Sequence, residues 1–305
     1  MSDQADNLRQ LIDEPSPHVI TAAPGPPMIA VTSGRAGVGV TTVAANLAAV
    51  FADRGARVLL IDAVQQHSNL AEIAGVNWTK TEHTLADVLA GKCTLAEAMS
   101  RGPGGTMFLV NRPSRRSQTE FSRHAQQGLL AELQSIGDSI DLLVVDMGSG
   151  LTAWSRRLWL RAQLVLLVTT SDSSALMDSY ATIKRSVADG IGPDIRLVVN
   201  QCDDDGVAAD AHRRLSDACC RFIGRTMPAF PPLPRYVAES HAHSWPRVWE
   251  TPNTPFGHAA LWLGRAVSDL LTGIQADSDC ATACGEPDRM ETSSSTARCL
   301  DEAIR

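Results

Sequence analysis

The chain has 305 residues, 44% of them hydrophobic and 20% charged, enough to bury a full core in one large α/β domain or two small ones. A net charge of −7 argues against broad electrostatic binding to DNA or to anionic membrane. The apolar runs Val58–Ile61, Leu142–Val145 and Leu164–Val168 are far too short to span a bilayer, the polar start Met1–Asn7 carries no basic leader region, and seven scattered cysteines read as reduced thiols of a cytoplasmic protein.

In chain order, residues 2–12 are expected to form a short isolated helix, with Gln4, Leu8, Leu11 and Ile12 on one stripe. Residues 13–27 hold five prolines and no helical period, which makes them a linker of restricted flexibility. Residues 28–274 alternate short apolar runs with amphipathic stretches. Strands are predicted near 28–32, 57–61, 106–110, 141–146, 163–169 and 195–200, with a further candidate at 226–230. Helices are predicted near 41–54, 82–99, 119–136, 152–161, 173–188, 207–223 and 256–273. This alternation specifies an α/β fold, a mostly parallel twisted sheet sandwiched by helices, with only the strand at 106–110 free to pair in either direction. Residues 275–305 are polar, rich in serine and threonine, and expected to be a disordered acidic tail with three arginines against seven acids.

The first strand runs into Ser33-Gly34-Arg35-Ala36-Gly37-Val38-Gly39-Val40-Thr41-Thr42 and then a helix. Glycines between a strand and a helix let successive N–H groups face one point, and the helix N-terminus adds partial positive charge there. A phosphate suits that place, and the threonine pair suits a Mg²⁺ ligand. Two more strands end in aspartates, Asp62 and Asp146, and a third ends in Asn200.

The loop resembles the deviant Walker A of the MinD/ParA family of P-loop NTPases, K-G-G-x-G-K-T-T, with departures. Arg35 stands at the family's first lysine, Ala36 at a glycine and Val40 at the phosphate-gripping lysine, while Gly37, Gly39 and Thr41 match. The resemblance implies ATP or ADP with Mg²⁺, cradled by Gly34, Arg35, Gly37, Val38, Gly39, Val40, Thr41 and Thr42. It further implies that Thr41, Asp62 and Asp146 hold the metal and that Asn200 reads adenine. The loss of a lysine at Val40 removes a charge-assisted hydrogen bond of about 1.5–3 kcal/mol. Asp62-Ala63-Val64 resembles the family's D-x-D, with Val64 at the carboxylate that helps hydrolysis. Weak or absent ATP hydrolysis is therefore expected.

Asp3-Gln4-Ala5-Asp6-Asn7-Leu8-Arg9 is similar to the D-Q-A-x-x-L-R element of the FlhG branch, also called FleN or YlxH, which regulates flagellar number and placement. Residues 169–184 and the loosely matching 234–240 and 255–259 are similar to the same branch. The likeness implies that the N-terminal helix stimulates FlhF, a signal-recognition-particle-type GTPase, with Gln4 as polar contact, Leu8 as apolar anchor and Arg9 at the rim, beside Asp3 and Ala5. It also implies basal-body or regulator proteins as partners, a homodimer, and a place at the cell pole or inner membrane held through partners, while the acidic balance leaves no nucleic acid among the expected partners. The acidic tail argues against direct membrane binding. Two alternatives stay open: an ATP-dependent switch that dimerises on ATP, and an accessory of another envelope machine such as cellulose export.

Overall fold

The computed structural model describes residues 25–64, 68–73, 83–102, 105–111, 122–187, 192–235 and 253–283. The predicted helix at 2–12, most of the linker, residues 236–240 and the last part of the tail lie outside the described residues. Among the described residues seven strands form one sheet: β1 (Met28–Ser33), β2 (Val58–Asp62), β3 (Ser100–Arg101), β4 (Met107–Leu109), β5 (Leu142–Ser149), β6 (Leu164–Thr169) and β7 (Asp194–Val199). Their order is β3-β4-β2-β5-β1-β6-β7. All pairs are parallel except β3 with β4, so the strand at 106–110 pairs in parallel with β2 and meets the short β3 antiparallel.

Strict alternation along the strands divides the core in two. Ile29 and Val31 of β1, Val58 and Leu60 of β2, and Leu164 and Leu166 of β6 face one side, against helices α1 (Val40–Asp53) and α9 (Pro255–Ala283). Ala30, Leu59, Ile61, Val165 and Leu167 face the other. There they meet α3 (Leu85–Leu89), α4 (Leu95–Ala98), α5 (Arg123–Ser135), α6 (Ala153–Arg161), α7 (Ser173–Ser186) and α8 (Asp205–Ile223), while a short α2 (Leu70–Ile73) adds Leu70 to the first side. A strand buried on both faces reads as an unbroken apolar run, which is the pattern of β1, β2, β5 and β6.

Three predicted elements change. The helix expected at 82–99 is two helices, each opened by its own capping box, Thr84 with Asp87 and Thr94 with Glu97, and separated by Gly91 at φ +67°. Each box satisfies two N–H groups that a continuing helix would have bonded internally, so a restart is stable. The candidate strand at 226–230 reduces to isolated bridges, Leu197 to Ala229 and Asn200 to Leu233. Pro228, Pro231, Pro232 and Pro234 deny it ladder donors. The last helix runs to Ala283, because neither proline nor glycine interrupts residues 274–283.

Trp154 and Trp159 are core residues of α6, whereas Trp262 is half exposed and meets Phe230 edge-on at 6.4 Å. Cys93, Cys202, Cys219 and Cys220 are free thiols, and burial pushes Cys219 up to about 11, which leaves it inert. Among the described residues no helix is long and apolar enough to cross a membrane.

Candidate functional site

Because β1, β2, β5, β6 and β7 run parallel, their C-terminal ends share one edge of the sheet, and the sequence-predicted residues converge there. β1 opens into the glycine loop, β2 ends on Asp62, β5 carries Asp146, and Asn200 follows β7. Chain crossovers leave an open crevice at such an edge, the usual place for a ligand in a sheet of this kind.

The loop's shape is set residue by residue. Gly37 and Gly39 stand at φ +86° and +96°, and Gly39 opens α1 with no side-chain cap. Three loop carbonyls are held by side-chain donors. The Ser33 hydroxyl donates to the Arg35 carbonyl at 2.7 Å, Gln201 Nε2 to that of Gly37 at 3.1 Å, and Asn200 Nδ2 to that of Val38 at 2.8 Å. Gly34 lies against α7 so closely that a Cβ would stand 2.2–2.4 Å from the backbone of Asp178 and Ser179. With its first-turn N–H groups unpaired by geometry, the start of α1 attracts an anion.

Neither of the family's two lysine positions presents a charge to the loop. Val40 is 7% exposed and belongs to the core cluster to which α1 and α9 both contribute, so the position of the gripping cation is apolar. Arg35 forms an exposed ion pair with Asp178 at 3.5 Å, on α7. Thr41 and Thr42 are half-buried in the first turn of α1, where the Thr42 carbonyl accepts from Asn46 Nδ2 at 2.8 Å.

Beneath the loop, Asp62 and Asp146 are directly paired across β2 and β5, and both are fully buried. Desolvation first and the Asp146 charge second push Asp62 up to about 7, against hydrogen bonds from Ser68 and the N–H groups of Val64 and Asn111. Burial likewise raises Asp146, while the Thr41 hydroxyl and the Gly148 N–H pull it down. Asp146 Oδ1 accepts from Gly148 at 2.9 Å, but its buried Oδ2 has no hydrogen-bond partner. Two paired carboxylates in a dry site with one orphaned oxygen and a neighbouring hydroxyl fit a small divalent cation, which takes oxygen ligands.

Val64 follows Asp62 on the loop and packs against Gly148, whose Cβ, were there one, would meet a Val64 methyl at 3.0 Å. The space near the expected hydrolytic carboxylate is thus filled by hydrocarbon. Asn111 fixes that loop by donating from Nδ2 to the Val64 carbonyl at 2.7 Å. Neither Asn111 nor Gln201 was predicted from the sequence. Asn111 follows a three-residue strand with no motif around it, and Gln201 is the only described non-glycine residue at positive φ, +58°, which no sequence pattern announces. Asn200 was expected as a base reader; here its amide nitrogen is engaged by the loop. Asp3, Gln4, Ala5, Leu8 and Arg9 lie outside the described residues.

The chain is 29% identical over 269 residues to the antiactivator FleN of Pseudomonas aeruginosa, covering 81% of this chain and 95% of that protein. It is 30% identical over 185 residues to the flagellum site-determining protein YlxH of Helicobacter pylori, 60% of this chain and 62% of that one. The septum site-determining protein MinD of Pyrococcus horikoshii, solved with Mg-ADP, superposes with a TM-score of 0.65 at 23% identity over 81% of this chain and 98% of that chain, a likeness of fold. The AAA domain family matches residues 27–186, the stretch that runs from β1 and its glycine loop through both buried aspartates to the end of α7, and the chain therefore belongs to that family, in its MinD/ParA branch.

Proposed function

We propose that this chain is a regulator of flagellar number or placement that works as an adaptor, binding adenine nucleotide weakly and hydrolysing it slowly or not at all. In this reading its N-terminal segment stimulates a signal-recognition-particle-type GTPase of the FlhF kind. One observation carries the reading: the frame of the pocket is built while two chemical positions are apolar, Val40 within the core and Val64 against Gly148. The flagellar client is supported by the likeness to FleN, which extends over nearly the whole of that protein, and by the likeness to YlxH.

Within the site, the loop and the first turn of α1 offer N–H groups to phosphate, and Thr41, Asp62 and Asp146 would hold Mg²⁺. A bound Mg²⁺ supplies positive charge against the phosphates. The buried, paired state of the two aspartates makes a cation welcome, since each is raised by burial when alone. No carboxylate stands at position 64 to orient an attacking water.

Calorimetric titration of Mg-ATP and Mg-ADP into the full-length protein is expected to give micromolar to low-millimolar binding, with slow or no turnover. Rapid, sustained ATP turnover by the pure protein overturns the adaptor reading. Val40→Lys is expected to tighten Mg-ATP roughly ten- to a hundred-fold by restoring a charge-assisted hydrogen bond. Unchanged affinity in a folded variant shows that the missing lysine is not what limits binding. Deleting residues 2–12 is expected to abolish stimulation of the GTPase in a turnover assay; intact stimulation removes that segment from the mechanism.

A further inference from the structure

The loop in this chain has no cation at position 40 to gather it around an anion, and its Arg35 is paired with Asp178, yet three of its carbonyls are tied by neutral side-chain donors. Two of those donors are consecutive, Asn200 and Gln201, at the end of β7. Gln201 adopts φ +58°, a conformation that a side-chain-bearing residue keeps only where its surroundings hold it. Its Nε2 reaches the Gly37 carbonyl, while Asn200 Nδ2 reaches that of Val38. Both acceptors are carbonyl oxygens, so in each case the amide nitrogen must face the loop.

The consequence follows from peptide geometry. All described peptide bonds here are trans, so the N–H of each unit points opposite to its carbonyl. Pulling the Gly37 carbonyl toward Gln201 aims the Val38 N–H the other way. Pulling the Val38 carbonyl toward Asn200 does the same for the Gly39 N–H. Among the described residues neither N–H donates to a backbone or side-chain acceptor, which leaves both available to a ligand. The fit is tight as well as polar: a Cβ on Gly39 would stand 2.3 Å from Asn200 Nδ2 and 3.7 Å from Gln201 Nε2.

We propose that Gln201, acting with Asn200, is a positioning residue that holds the phosphate loop in its anion-binding shape and so takes over the loop-ordering task that no charged side chain at position 40 performs. This rests on the reading of the loop as a nucleotide site. It adds a residue outside the loop, and it assigns the retained affinity to pre-organisation by neutral amides.

The test uses the full-length protein with Gln201→Ala, and with Gln201→Gly as the variant that also relieves the backbone. In the nucleotide-free protein, ¹⁵N order parameters at Val38 and Gly39 should fall from rigid values near ~0.85 to below ~0.6 in both variants. Mg-ADP affinity, measured by calorimetry, should drop roughly five- to tenfold, as for loss of one ordering hydrogen bond. In a Val40→Lys background the same substitution should change affinity less than about twofold, because a charged group then gathers the loop directly. Unchanged order parameters overturn the clamp whether or not nucleotide binds. An equal affinity loss in both backgrounds overturns the substitution of amides for the cation. Absence of any Mg-ADP binding by the wild type, with order parameters falling as expected, instead overturns the nucleotide reading and leaves the clamp standing.

Discussion

Replacing Gly34 by alanine should destabilise the protein by about 3 kcal/mol and lower its melting temperature by roughly 10 °C. The new Cβ would stand 2.2 Å from the Asp178 carbonyl carbon, 2.3 Å from its oxygen and 2.4 Å from the Ser179 nitrogen, all backbone atoms of α7. A flexible side chain could swing aside; a helix backbone cannot move without disturbing what it packs on. α7 packs through Leu176 and Ile183 into one core, and its Ser179 hydroxyl bonds Thr169 at the end of β6, so displacement would be shared with the sheet. Gly37→Ala is the matched control. Its site has open space, but φ is +86°, so the cost is conformational alone, on the order of 1–2 kcal/mol. Thermal melts of both variants check the ranking. If Gly37→Ala is the more damaging, the close seating of the loop on α7 is not what fixes it.

That contrast shows why the site was partly legible in the sequence. Gly37 and Gly39 belong to a recognisable spacing between a strand and a helix, and the left-handed backbone they adopt is what such glycines supply. Asp62 and Asp146 were legible as strand-end carboxylates because a parallel sheet brings all such ends to one edge. The strands themselves were legible because burial on both faces leaves runs such as Leu142–Val145 without polar interruption. What escaped depends on contacts between distant segments. Gln201 reaches Gly37 across 164 positions, and nothing local to either residue encodes that reach. The division of the helix at 82–99 was encoded locally, in two T-x-x-D/E boxes, but the apolar period across 85–98 is compatible with one helix and hides the break. Val64 was readable as a missing carboxylate. Its packing on Gly148, which makes the position hydrocarbon rather than merely uncharged, needed the fold.

Asp62→Asn should stabilise the metal-free protein at pH 8 by a few kcal/mol and do little at pH 5. The sign follows from the direction of the shift. Asp62 is pushed up to about 7 in the folded chain, from an ordinary carboxylate value near 4 when unfolded. Between those values the folded state holds a proton that the unfolded state has released, so stability falls as pH rises through the window and the full loss is present above pH 7. At pH 8 the wild type then carries a buried, ionised Asp62 facing Asp146, whose Oδ2 is unpartnered. An asparagine removes that charge and keeps one oxygen, enough for the Val64 N–H that Oδ1 accepts, while its amide nitrogen takes the place of the Oδ2 that accepts from the Asn111 N–H at 3.4 Å. Mg²⁺ should reverse the ranking: it raises the wild-type melting temperature at pH 8 by relieving the pair, and has little effect on the variant. Differential scanning calorimetry at pH 5 and pH 8, with and without Mg²⁺, reads all four combinations. A variant equally destabilised at both pH values would make Asp62 a hydrogen-bond acceptor that needs its charge in the folded state, and the carboxylate pair would then no longer be a reservoir of stability that a cation releases.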